Sequence, residues 1–202
     1  GSNDASELTA RADIEVELPM GSIGDAEGRL FGHLRAGDGD GVDGAVGAFA
    51  PTNSMAFGNT PQPVLMQAWY QLDIPVGGKS GNLGQVEVTL GKIDPFGFFD
   101  GNNIADDESE QFLNLAFIHN PLLDAGGDIG VGDHGASPGL RLAYVSDING
   151  SNHITTSLAY FGAGDDGANY TDSFKNGLVI GQVEYAGKTF GGMDGAYRLY
   201  AW

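Results

Sequence analysis

Apolar residues recur at every second position in several separate stretches of the chain, and a period of two is the spacing of a β-strand with one apolar face. In residues 12–18, Ala12, Ile14, Val16 and Leu18 oppose Asp13, Glu15 and Glu17, and Pro19 is expected to close that strand. Residues 64–74 alternate Val64, Met66, Ala68, Tyr70, Leu72 and Ile74 with Gln67, Trp69, Gln71 and Asp73. Val86, Val88 and Leu90 stand against Gln85, Glu87 and Thr89, and Leu140, Leu142 and Tyr144 stand against Arg141. Towards the end, Val179, Val183 and Tyr185 oppose Gln182 and Glu184, and Tyr197, Leu199 and Ala201 oppose Arg198. Two weaker runs are 28–35, where Leu30 and Leu34 face away from Arg29, His33 and Arg35, and 153–160. Clusters of Gly, Asp, Asn and Pro separate the runs and read as turns. The pattern predicts an all-β, antiparallel fold of about eight strands, the longest able to cross a bilayer at a tilt.

Composition narrows the chemistry. Thirty-four glycines among 202 residues suit many turns and short strands. The absence of cysteine removes thiol catalysis, thiolate metal sites and disulfide staples together. A formal net charge of −18, from 27 acidic and 9 basic residues, opposes contact with phosphates, so no nucleic-acid partner is expected. No apolar run approaches the length of a membrane-spanning helix, which says nothing against a barrel. Gly1-Ser2 reads as an expression scar or a mature end, so a leader could have been removed without trace.

Alternation alone fits a soluble antiparallel sandwich and a transmembrane barrel equally well. Long Gln, Glu and Arg side chains on the polar face, and aromatic residues ending the apolar face, favour the barrel.

Residues 91–138 interrupt the alternation. They read Gly91-Lys92-Ile93-Asp94, then Phe98-Phe99-Asp100, Asp106-Asp107-Glu108, Gln111-Phe112-Leu113-Asn114 and His119-Asn120-Pro121, followed by the strand Pro138-Gly139-Leu140-Arg141-Leu142. This series resembles a segment of the OprB-type carbohydrate-selective outer-membrane porins. The likeness extends weakly to Tyr197-Arg198-Leu199-Tyr200-Ala201-Trp202 and covers 64–202. The resemblance implies an up-and-down transmembrane β-barrel in the outer membrane of a Gram-negative-type envelope, passing small hydrophilic solutes such as sugars by passive diffusion, with no catalysis and no cofactor. Because that family builds barrels of about sixteen strands from about twice this length, residues 1–202 are expected to be a single barrel domain or a half-barrel. The chain is then an N-terminal half, or a shorter relative whose eight strands close by themselves, or one of two copies that complete a barrel, so a homo-oligomer is among the outcomes.

For a sugar-lined lumen the candidate solute-binding residues are Arg29, Arg35, Trp69, Glu87, Lys92, Asp94, Arg141 and Arg198. Charged groups can hydrogen-bond hydroxyls and an indole can stack on a pyranose ring. The segment Asp106, Asp107, Glu108 and Glu110 is expected to start a short amphipathic helix with Phe112, Leu115 and Phe117 on its apolar side, and by the family likeness to fold into the lumen or its mouth. Asp38, Asp40 and Asp43 with their glycines have the composition of a calcium loop without the spacing and read as an acidic turn, so no metal is expected. His33, His119, His134 and His153 lack ligand spacing, and Gly126-Gly127 and Gly191-Gly192 read as turns. Three other functions stay open: a soluble β-sandwich binding module for carbohydrate or a surface partner, a small structural outer-membrane barrel, and an inorganic cation porin.

Overall fold

The computed structural model describes residues 6–47, 52–58, 60–77, 83–120, 123, 136–147, 151–162 and 177–202. Pro121, Gly126, Gly127 and His134 lie outside them. The architecture is all-β. Eight strands follow one another as β1 (Ala10–Ile23), β2 (Ala26–Asp38), β3 (Thr60–Pro75), β4 (Gln85–Ile93), β5 (Ser137–Asp147), β6 (His153–Gly162), β7 (Gly177–Lys188) and β8 (Asp194–Ala201). They form one antiparallel up-and-down sheet in the order β1-β2-β3-β4-β5-β6-β7-β8, and among the described residues β1 and β8 are its two end strands.

Each of the eight alternating runs lies inside one of these strands, as a period-two pattern requires. The expected end at Pro19 is corrected: β1 continues to Ile23. Proline lacks only the N–H, and an end strand has a row of backbone groups that no neighbour needs. A two-residue turn then leads into β2, with Gly24 at φ 66 in the glycine-first arrangement of tight hairpins.

The expected helix after Asp106 is also corrected. Only a single turn forms there, in which the amides of Gln111 and Phe112 donate to the Asp107 carbonyl at 3.0 and 3.3 Å. A separate 3-10 turn follows at Leu115–Phe117. Phe112 and Phe117 tilt against each other at 5.9 Å and stay exposed. An α-helical turn forms at Asp43–Val46, within the region read as an acidic turn. The Asp43 carboxylate accepts from the amide and hydroxyl of Thr52. Gly191 and Gly192, at φ 78, make the turn between β7 and β8 as expected.

Contacts gather into two compact units. One comprises Gly1–Val16, Gly32–Met66 and Pro95–Asp128, and the other Glu17–Phe31, Gln67–Asp94 and Ile129–Trp202. In the first, Phe99, Ile118 and Met66 are buried, while Ile14, Val16, Leu34 and Leu65 are exposed.

The second unit has a continuous register across β3 to β8. Tyr70, Leu90, Leu140, Tyr160 and Val179 form one row, and Val86, Tyr144, Thr156, Val183 and Leu199 another on the same face. On the opposite face run Gln71, Thr89, Arg141, Ala159 and Ile180, and beside them Glu87, Ala143, Ser157, Gln182 and Tyr200. Burial is inverted relative to a protein that hides its apolar face from water. Leu90, Leu158 and Leu199 are 61%, 56% and 78% exposed, whereas Gln71 and Arg141 are 1% and 5% exposed.

Gly91 adopts φ 145, and a Cβ there would lie 2.3 Å from the Ala68 carbonyl oxygen and 2.6 Å from Trp69 Cα. Gly91→Ala is expected to cost on the order of 2 kcal/mol of folding stability in equilibrium urea unfolding. Gly97→Ala, whose Cβ meets nothing within 4 Å, is the near-neutral control.

Candidate functional site

The polar face of the second unit is a hydrogen-bonded surface built by strand register. Arg141 on β5 stands opposite Thr89 on β4 and Ala159 on β6, so its guanidinium reaches diagonally to both neighbours. Nη1 donates to Glu87 Oε2 at 2.8 Å and Nη2 to Ser157 Oγ at 3.4 Å. The second Glu87 oxygen accepts from Gln85 Nε2 at 2.9 Å. Alongside, Thr89 Oγ1 donates to Gln71 Oε1 at 3.0 Å, and Gln71 Nε2 donates to Asp73 Oδ1 at 2.7 Å. Further along, Arg198 on β8 donates through Nε to its direct cross-strand partner Glu184 on β7. Both terminal nitrogens of Arg141 and the buried Gln71 and Thr89 thus find acceptors within the sheet, as polar groups withdrawn from water require.

An aromatic row borders these polar rows. Trp69, Gly91, Gly139 and Phe161 are successive partners across β3 to β6, so large rings flank a pair of glycines. Phe161 covers Gly139, where a Cβ would sit 2.6 Å from its ring. Phe31 stacks on Trp69 at 4.8 Å, and Arg29 lies 5.8 Å from the indole centroid with Nη1 3.7 Å from Glu17. The indole Nε1 donates to Gln67 Oε1 at 3.2 Å.

Five of the eight candidate residues, Arg29, Trp69, Glu87, Arg141 and Arg198, thus share one face of this unit, with Glu87 joined to Arg141 and Arg29 set by Trp69. Lys92 departs from them. It pairs with Ala68 and Pro138, and alternation puts it on the side of Leu90 rather than Arg141. Asp94 lies one residue beyond β4, its amide 3.4 Å from Gln67 Oε1.

Arg35 belongs to the first unit and to a cluster that alternation only half revealed. Its Nε donates to Asp13 Oδ1 at 2.6 Å, and the same oxygen lies 2.7 Å from His33 Nε2. Arg11, almost fully buried, donates through Nε to Asp13 Oδ2 at 2.7 Å and through Nη1 to Glu108 Oε1 at 2.6 Å. Arg35 Nη2 also approaches Glu108 at 3.5 Å. In the adjoining loop, burial works to raise the Asp107 carboxyl. Hydrogen bonds from the Ser109 hydroxyl and the Ser109 and Glu110 amides, with the field of Arg11, outweigh it and hold the group below the usual carboxylate range.

Parity marked Asp13 and His33 as polar-face residues, but no local signal marks Arg11 or joins it to Glu108. Among the described residues no group of three His, Asp or Glu side chains is arranged to hold a metal ion. No protein-family model, curated protein or solved structure matches the chain.

Arg141→Leu leaves the half-buried Glu87 with half its partners, and is expected to cost on the order of 3 kcal/mol in urea unfolding. Arg141→Leu combined with Glu87→Leu is expected to recover most of that loss, because neither charge is then stranded.

Proposed function

We propose that this chain forms all or part of an outer-membrane β-barrel of the OprB porin type, and that it passes small hydrophilic solutes, sugars foremost, by passive diffusion. One observation carries the proposal: the leucine- and valine-rich face of the sheet is exposed while the face bearing Arg141, Gln71, Thr89, Ser157 and Gln182 is buried. In water each exposed leucine forgoes about 2 kcal/mol of burial, and hiding a guanidinium adds desolvation on top. Against lipid the same arrangement is favourable on both faces. Strands of 8 to 16 residues in up-and-down order accord with spanning strands. The process makes and breaks no bond, so the polar rows serve as fixed hydrogen-bonding partners and not as catalysts.

A small structural barrel without a channel is the second reading. It is favoured by the mutual satisfaction of Arg141, Glu87, Gln71 and Thr89, since side chains that meet each other fill the interior of an eight-stranded barrel.

Purified chain is expected to require detergent and to shift in electrophoretic mobility on heating; a monodisperse detergent-free species would refute membrane residence. Sugar flux into proteoliposomes separates porin from structural barrel, because the latter gives none. Leu142→Arg, on the exposed apolar face, is expected to lose about 2–4 kcal/mol of folding stability in lipid vesicles. A sheet whose Leu142 face meets water would fold unchanged with this substitution.

A further inference from the structure

The loop that carries Glu108 is fastened to β1 and β2 by charge. Glu108 Oε1 accepts from Arg11 Nη1, with Arg35 Nη2 3.5 Å away, and both arginines are oriented in turn by Asp13. At the centre stands His33, 4% exposed, with Nε2 2.7 Å from Asp13 Oδ1. A neutral ring donates that hydrogen bond and leaves Nδ1 as a bare acceptor. Nδ1 is buried, has no hydrogen-bond partner, and its nearest ionic group is Glu15 Oε1 at 3.9 Å. A buried nitrogen of this kind facing a carboxylate is one proton short of a second donor contact.

The charges around the ring tell the same story. From β1 it faces Arg11, Asp13 and Glu15, from β2 Arg35, and from the loop Glu108, with Asp107 in the field of Arg11. Two guanidinium groups set against Asp13, Glu15, Asp107 and Glu108 leave two negative charges unmatched while His33 is neutral. An imidazolium removes one of them. The added cation shares Asp13 Oδ1 with Arg35, and the surplus carboxylate of Glu15 offsets their repulsion.

We propose that Arg11, Asp13, His33, Arg35 and Glu108 form a proton-responsive latch in which protonation of His33 tightens the hold of β1 and β2 on the loop. Histidine is the side chain that ordinarily changes charge between pH 5 and 8. The proton gained binds Nδ1 to Glu15 while Nε2 keeps Asp13, which fixes the carboxylate that aims both arginines at Glu108. Acid strong enough to protonate Asp13 and Glu108 removes the anions themselves and releases the loop. This device concerns how the loop is held and does not depend on permeation.

The test is hydrogen exchange by mass spectrometry on the full chain, read as protection factors of peptides within 95–120. Between about pH 8 and pH 5.5 protection is expected to rise roughly two- to fivefold, the scale of one partly exposed ion pair. His33→Gln keeps an amide donor for Asp13 but gains no proton, and should show no rise. Glu15→Gln should abolish the rise with His33 intact; because the Glu15 side chain is mostly exposed, this variant keeps the test valid if His33→Gln fails to fold. Glu108→Gln should lower protection at both pH values. An unchanged rise in Glu15→Gln or His33→Gln, or no rise in the unaltered chain, overturns the latch. None of these readouts requires solute flux, so a failed latch and a failed porin are told apart.

Discussion

A guanidinium withdrawn from water needs its donors met, at a cost of several kcal/mol when they are not, and the polar face of β3 to β8 is organised around that requirement. Arg141 lies on β5, flanked by β4 and β6, and the register supplies Glu87 on one diagonal and Ser157 on the other. A slip of one residue would turn Arg141 onto the face of Leu140 and Leu142 and bring a leucine in against Glu87. Alternation and ion pairing therefore demand the same register. Gln71, Thr89 and Asp73 repeat the logic with neutral donors one strand away, and Glu184 with Arg198 repeats it at the end strand.

Volume is handled by a different device. Trp69 and Phe161 would collide with ordinary side chains on the two strands between them, and the register meets them with Gly91 and Gly139. Glycine weakens a strand unless a ring covers it, and Phe161 does so at Gly139. The aromatic row and the polar rows thus divide one face of the sheet: the Phe161 ring lies over Gly139, and the polar rows of Gln71, Thr89 and Arg141 and of Asp73, Glu87 and Ser157 follow two and four residues further along the strands.

Much of this was legible in the sequence because it is local. A period of two needs only neighbours along the chain, and it located all eight strands and assigned Arg29, Glu87, Arg141 and Arg198 to the polar face. Lys92 was assigned from a motif instead, although the same alternation that runs through Val86, Val88 and Leu90 carries it to the apolar side. Pro19 misled because its effect depends on whether the strand has a neighbour on that side, a property of the sheet and not of the peptide. The pairing of Arg11 with Glu108 was invisible for the same kind of reason. They are 97 residues apart, and only the folded loop brings a carboxylate to an arginine that precedes the first alternating run. The stretch after Asp106 carried helix-start chemistry, and its cap did form at Asp107, yet Phe112 and Phe117 had no apolar surface to dock on and the helix stopped at a turn.

On the membrane reading, the number of strands and not the chemistry of the polar face decides between a channel and a plug. The pair Glu87–Arg141 would line the interior in either case. In a barrel of eight strands opposing side chains meet across it, and in one of about sixteen water separates them. The even count matters here. With eight strands in up-and-down order β1 and β8 run in opposite directions, so a seam between them, or between each and a further strand, is antiparallel like every pairing already made. Lipid makes some such seam obligatory, because an open row of amides and carbonyls cannot be satisfied there. Whichever strands supply it also set the diameter, and with it whether the hydroxyl-binding groups on the polar face meet a passing solute or only one another.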